Sequence, residues 1–202
     1  MSKLLTTLFI IVAASTSARS VQQDPQRPQP SEGLTIVDYM PPPATLEQLW
    51  DKTPIVLRGR TLRSTVRAVP VGSVRVRPST VHTVEVLEVL KNTSVFGVSA
   101  GGEIEVNQPG GTIQKNGRTI TAHTTNFPVF RNGHELIFFL TPSRETTGFS
   151  VPYGPAGAYL VEGEQVLIPT ITSHYAAFRG LSKMPKDAFQ TLLRELSSRP
   201  KS

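Results

Sequence analysis

Six arginines lie close together in the first half of the chain, and they are the strongest candidates for a binding function. They are Arg58, Arg60, Arg63, Arg67, Arg75 and Arg77. Because Arg58 and Arg60 are two residues apart, their side chains share one face of a β-strand. Such a stripe would bind an acidic polymer. The alternative is that these arginines form cross-strand ion pairs, as opposite charges on neighbouring strands commonly do. The candidate partners are Glu85, Glu88, Glu103 and Glu105.

Aromatic residues in or beside predicted loops form the second set of candidates. They are Tyr153, Tyr159, Tyr175, Phe127 and Phe130. Aromatic rings in loops often provide the surfaces on which sugar rings or bases stack. We therefore predict that Tyr153 and Tyr159, together with Arg58 and Arg60, bind the ligand. The alternative is that these rings close the ends of a barrel and belong to its core.

No motif for catalysis or metal binding stands out in the sequence. The histidines His82, His123, His134 and His174 lack metal-ligand spacing, and there is no cysteine. No serine occupies a Gly-x-Ser-x-Gly elbow, no carboxylate pair is specified, and the double glycines are turns between strands rather than phosphate loops. We predict no catalytic residue, no metal and no cofactor. An enzyme whose site is assembled from dispersed residues is the alternative.

The first twenty residues predict export. Lys3 precedes a short apolar run over residues 4–14, and small residues follow at Thr16, Ser17 and Ala18. This is the pattern of a secretory signal peptide, and the run is too short to span a bilayer as a mature helix. We predict a signal peptide over 1–20, a flexible proline-rich leader over 21–44 and one domain over 45–202. The protein is then secreted or periplasmic.

Composition narrows the class of partner. The chain has 202 residues, a formal net charge of +6 and no cysteine. An exported chain without disulfides needs a core large enough to be stable alone. The basic excess favours an acidic partner, either a protein or an anionic polymer, and export makes a specific nucleic acid the least expected of these. No segment of the mature chain has the length of a transmembrane helix, and the sequence carries no signal for an oligomeric state.

Hydrophobic periodicity predicts strands between two helices. Alternating residues predict strands over 55–61, 81–90 and 103–106, and an apolar run predicts a central strand over 136–140. Asn116-Gly117 and Glu162-Gly163-Glu164 predict hairpin turns. Past Leu87 both faces of the second strand are apolar, which indicates a bulge or burial on both sides. A short helix capped by Thr45 precedes the strands. An apolar stripe predicts a C-terminal helix that docks on them through Phe189, Leu192, Leu193 and Leu196.

The pattern predicts a mainly β domain, namely a small closed or partly open antiparallel barrel of OB-like type, with a sandwich as the alternative. A strand ending in Leu90-Lys91, the Pro109-Gly110-Gly111 turn, the apolar strand before Leu140 and the loop Gly154–Gly157 carry a resemblance. The chain resembles secreted bacterial domains of uncharacterised function that are similar to the OB-fold barrels of the tissue-inhibitor and netrin type. The resemblance implies a fold and no catalytic residue. We therefore expect a non-enzymatic binding module of the cell envelope.

Overall fold

The computed structural model describes residues 32–35, 39–71, 75–124, 127, 130–144, 146–167, 178, 181 and 183–199. The predicted signal peptide, most of the predicted leader and Tyr175 lie outside these residues. The described strands are β1 (Glu32–Thr35), β2 (Ile55–Val71), β3 (Arg75–Asn92), β4 (Glu103–Pro109), β5 (Gly111–Lys115), β6 (Arg118–His123), β7 (Glu135–Pro142), β8 (Phe149–Ser150), β9 (Ala158–Glu162), β10 (Gln165–Leu167) and β11 (Met184–Pro185). The described helices are α1 (Leu46–Lys52), a 3-10 turn at Gly154–Gly157 and α2 (Lys186–Ser198). The mainly β prediction is confirmed.

Five strands are joined into a ring of hydrogen bonds. The antiparallel strands β7, β2, β3 and β4 are neighbours in that order. The short strand β8 pairs in parallel with β4 and antiparallel with the end of β7, which closes the ring. The other part of the same β7 edge pairs with β9, and the sheet continues through β10 to β11. Strand β8 is only two residues long, so the ring closes through a narrow seam.

The two longest strands are bent where the sequence predicts irregularity. Strands β2 and β3 pair over most of their length, and their register shifts between Val56 and Leu57, between Arg58 and Gly59, and between Thr61 and Arg63. Such bulges increase the local twist of a strand. Beyond these shifts β2 and β3 stay paired with each other but β7 no longer pairs with β2, because the pairing of β2 with β7 ends at Arg60. The predicted bulge is confirmed.

The β5–β6 hairpin and β1 form a second, three-stranded sheet. Asn116 and Gly117 connect the hairpin with φ angles of 52° and 73°, which is the backbone conformation that a two-residue turn of this kind requires. Strand β1 pairs in parallel with β6, with Glu32 opposite Ile120. Part of the segment predicted as a leader is therefore a paired strand. Composition did not reveal it, because its hydrogen-bond partner lies far away in the sequence.

Two hydrophobic clusters lie on opposite faces of β7. Phe138 and Phe139 are both fully buried, as predicted for the central strand. Phe138 packs inside the ring with side chains from β2, β3 and β4. Phe139 packs on the other face in a cluster that includes residues of α1 and α2. Consecutive residues of a strand point to opposite faces, so this one strand supports both clusters.

The two helices cover the second cluster. Thr45 caps α1, and its Oγ1 accepts a hydrogen bond of 3.2 Å from the Gln48 amide. Phe189, Leu193 and Leu196 of α2 are buried and Leu192 is partly buried, which confirms that α2 docks on the sheet. Pro185 belongs to β11 and precedes α2, rather than lying in its first turn. No helix in the described part of the chain is both long and apolar enough to cross a bilayer.

Candidate ligand-binding cleft

Arg58 is held between two glutamates of the neighbouring strands. Its Nε lies 3.3 Å from Glu88 Oε2, and its Nη1 lies 2.8 Å from Glu135 Oε1. Burial alone would lower the pKa of Arg58, but the hydrogen bonds and charges of Glu135 and Glu88 outweigh burial and raise it. Glu88 also accepts hydrogen bonds of 3.2 Å from Gln190 and from Arg194 of α2. Arg58 thus belongs to a polar network that attaches α2 to the sheet.

Two more of the predicted arginines form cross-strand ion pairs. Arg60 lies 3.5 Å from Glu85, and Arg67 lies 3.0 Å from Glu105. Cross-strand pairing, the alternative interpretation of these arginines, is thus what the structure shows for Arg58, Arg60 and Arg67. The Arg60 side chain is 48% exposed, and its role in ligand binding stays a prediction.

The structure places Tyr159, one of the predicted tyrosines, in the core. Tyr159 is 0% exposed, and its hydroxyl donates a hydrogen bond of 2.6 Å to the Ala156 carbonyl. Burial raises the pKa of Tyr159. Its ring packs edge to face with Phe139 and Phe189, at centroid distances of 5.6 Å and 5.5 Å. Tyr159 has no surface with which to contact a ligand, so its proposed binding role is corrected here. Tyr153 is partly buried against the same cluster.

The described residues form a cleft of about 620 Å³ beside the seam of the ring. Asn107 of β4 is opposite Ser150 of β8, and Ser150 is opposite Thr141 of β7. These three polar residues form a row across three strands. The cleft volume lies within the range of roughly 300–1,000 Å³ that is typical of sites for small molecules. The remaining lining residues are Tyr39, Met40, Arg77, Ser79, Pro109, Pro142, Ser143, Arg144, Thr146, Val151 and Pro152.

Close backbone contacts position the walls of the cleft. In the loop between β7 and β8, the Ser143 amide donates to the Gly148 carbonyl at 2.9 Å, and the Thr146 amide donates to Ser143 Oγ at 3.2 Å. A Cβ on Gly148 would collide with the Glu105 carbonyl oxygen. Gly154 has a φ of +52°, and a Cβ there would lie 2.6 Å from the Tyr39 ring. Glycine at these two positions therefore lets the loop and Tyr39 approach the sheet.

The cleft is lined by positive charge and hydroxyl groups. Arg77 and Arg144 contribute guanidinium groups, and no carboxylate occurs among the described lining residues. Burial raises the pKa of Tyr39 to about 12, although the neighbouring Thr124 side chain and the charge of Arg77 act to lower it. Tyr39 therefore keeps its proton at neutral pH. The charge and the hydroxyl groups together make the cleft suitable for a polar anion.

Three buried oxygens of the lining residues have no hydrogen-bond partner within the described residues, and Tyr39 Oη is one of them. Asn107 is 6% exposed, and its Nδ2 donates to the Phe149 carbonyl at 3.0 Å. This bond fixes the orientation of the amide, and Asn107 Oδ1 then has no partner in the structure described here. The same is true of Thr146 Oγ1. A buried acceptor without a donor costs about 1–3 kcal/mol, and such atoms frequently mark the place of a water or ligand.

A separate polar row runs from Ser64 through His82 to Gln108. Ser64 Oγ lies 2.8 Å from His82 Nδ1, and His82 Nε2 lies 3.0 Å from Gln108 Oε1. Because Oε1 can only accept, Nε2 carries the proton and Nδ1 accepts from the serine hydroxyl. Burial lowers the pKa of His82, and the Gln108 hydrogen bond opposes that effect. The imidazole is therefore neutral at pH 7, while Ser64 is exposed.

Sequence reasoning included Arg77 among the candidates and missed the other residues of the cleft. The missed signal was the run Asn107-Gln108 near the end of β4, where two polar residues are buried next to Val106. The pairing of Ser64 with His82 was also missed, since it depends on the register of β2 with β3. His123 is exposed on β6. In the described ranges no three potential metal ligands cluster together.

The comparisons with known proteins add no identity to this geometry. No protein-family model matches the chain, and no curated protein matches it.

Proposed function

We propose that this protein is an exported β-barrel module of OB-like type that binds an anionic polymer of the cell envelope in the cleft beside β8. The hydrogen-bonded ring of β2, β3, β4, β7 and β8 supports the barrel interpretation, because the OB fold is a five-stranded barrel. The resemblance to tissue-inhibitor and netrin-type domains supports it further. The pattern of residues 1–20 supports export.

The observation that carries this function is the charge of the cleft lining. Arg77 and Arg144 lie among hydroxyl groups, and no described lining residue carries a negative charge. Arginine binds planar anions through two parallel hydrogen bonds, which makes it suited to carboxylate or sulfate groups.

Dextran sulfate and uncharged dextran test the proposal, because the two polymers share a backbone and differ in charge. We expect dextran sulfate alone to bind, with an affinity that falls as salt is added. Arg144→Gln should weaken binding about tenfold, which corresponds to the loss of one charged hydrogen bond. Arg63→Gln is the matched control, since Arg63 is an exposed arginine outside the cleft. Equal binding by the two variants would contradict the proposed site.

Ester hydrolysis at Ser64 is a second candidate function, favoured by the Ser64–His82–Gln108 row. In this reaction Ser64 Oγ attacks the carbonyl carbon of an ester while His82 Nδ1 takes the serine proton. The proton then passes to the departing alkoxide, and water hydrolyses the acyl-serine to free acid and serine. 4-Nitrophenyl acetate is the probe, and release of nitrophenolate that disappears in Ser64→Ala supports this function. Equal release by wild type and Ser64→Ala would refute it.

A further inference from the structure

We infer that the ligand of the cleft carries hydroxyl groups as well as a carboxylate, which is the chemistry of a uronic acid. This inference rests on the proposed function, because it names the chemical class of the anion that binds at the same site. It follows from two features of the lining residues that a simple anion does not satisfy: the buried Asn107 Oδ1, which can only accept a hydrogen bond, and the apolar surface beside the charges.

The buried oxygens call for a ligand that donates hydrogen bonds. Asn107 Oδ1 can only accept, and it has no donor within the described structure. Sulfate or a bare carboxylate brings acceptors alone, so it would leave Oδ1 unpaired and add electrostatic repulsion. A hydroxyl group supplies the missing donor. Thr146 Oγ1, which also lacks a partner, can accept from one hydroxyl and donate to another group.

The charged side of the cleft accounts for the carboxylate. Arg144 is exposed in the loop between β7 and β8, and Arg77 lies on β3. A guanidinium group binds a carboxylate in a planar, two-bond arrangement. Both arginines, Asn107 and Thr146 belong to the lining of one cleft. A single ligand that carries the two kinds of group on one compact framework therefore satisfies both requirements.

The apolar residues of the lining fit the C–H face of a sugar ring. Three prolines contribute rigid surfaces, and Val151 and Met40 extend them. The prolines are Pro109, Pro142 and Pro152. Clefts that bind small molecules combine such apolar surface with a few polar groups that fix orientation. A sugar acid presents hydroxyl and carboxylate groups at its rim and C–H groups on its faces, so its surface complements this lining.

The experiment compares D-glucuronate with cyclohexanecarboxylate, which has a similar six-membered ring and the same charge but no hydroxyl group. Binding to the full-length protein is followed by NMR titration of the backbone amides. We expect glucuronate to bind at least about tenfold more tightly, which corresponds to about 1.4 kcal/mol, and to shift the amides of 143–150. Equal affinity that is weakened by Arg144→Gln would overturn this inference and leave anion binding intact. Absence of binding by both probes would overturn this inference and the proposed function together.

Thr146→Val separates the hydroxyl contacts from the charge contact. The substitution keeps the side-chain shape, removes Oγ1 and leaves both arginines in place. We expect it to weaken glucuronate binding about threefold to tenfold, as the loss of one hydrogen bond does, and to leave cyclohexanecarboxylate binding unchanged. Thr65→Val is the matched control, because Thr65 is exposed on β2 and outside the cleft. An equal loss for both probes would refute the hydroxyl contact.

Discussion

Replacing Phe139 by alanine should separate the helical layer from the ring. Phe139 is fully buried in the cluster formed with α1, α2 and β9. Its ring packs edge to face with Tyr159, and Tyr159 packs in the same way with Phe189 of α2. The substitution therefore removes the sheet's contribution to an aromatic chain that leads directly to the C-terminal helix.

The size of the effect follows from these contacts. A fully buried phenylalanine that becomes alanine costs about 3–5 kcal/mol of unfolding free energy. The aromatic pair contributes about 0.5–1.5 kcal/mol beyond its buried area, which places Phe139→Ala near the middle of that range, at about 4 kcal/mol. With a denaturant slope of about 2 kcal/mol per molar urea, the unfolding midpoint should fall by about 2 M.

Phe138→Ala is the matched control for this prediction. Phe138 is equally buried on the same strand, but it contacts Phe130 inside the ring, at a centroid distance of 5.3 Å. Urea titration should show a similar loss for both variants. Native-state hydrogen exchange should distinguish them, because only Phe139→Ala should increase exchange at the amides of 186–198. An unmoved midpoint in Phe139→Ala, or equal exchange of α2 in both variants, would refute the reasoning.

Three further predictions concern α2, His82 and export. Truncation after Met184 removes three buried side chains worth roughly 1.5–3 kcal/mol each, so circular dichroism should show a melting temperature lower by about 10 °C or more; unchanged melting would point to an undocked tail. His82 is protonated near pH 6.5 in the unfolded chain and only at lower pH in the folded protein. The urea midpoint of unfolding should therefore fall as the pH drops below 6.5, and it should fall less in His82→Gln. Identical pH profiles for the two proteins would contradict this. Export predicts cleavage after Ala18 or Ser20, read by N-terminal sequencing of protein from outside the cytoplasm, whereas cytosolic protein that keeps Met1 would contradict it.

Local patterns in the chain were sufficient to predict most elements of the fold. Asn116-Gly117 predicted the β5–β6 hairpin, because few residues adopt the positive φ angles of that turn. The stripe that begins at Phe189 predicted α2 and its buried face, because apolar residues recur with the period of a helix. Strand β1 could not be predicted in this way. Its four residues have little intrinsic preference, and its hydrogen bonds come from β6.

Binding residues were harder to predict, because local patterns do not reveal which charges face each other. The spacing of Arg58 and Arg60 correctly indicated a strand, yet the glutamates opposite them are set by the pairing of β2 with β3 and β7. Tyr159 follows a loop in sequence, but the pairing of β9 with β7 buries its ring. Loop position alone therefore overstated how accessible the tyrosine is to a ligand.

The sequence by itself determined most of the strands and turns and the two helices, since these depend on interactions between residues close along the chain. Only the tertiary structure decided which polar and charged residues come together in the cleft. Asn107, Ser150 and Thr141 come from three separate strands, and β8 brings them into one row when it closes the ring. Arg77 and Arg144 join them in one cleft from a fourth strand and a loop. A site built from such distant segments has no signature in local sequence, because its geometry arises only when the strands pair.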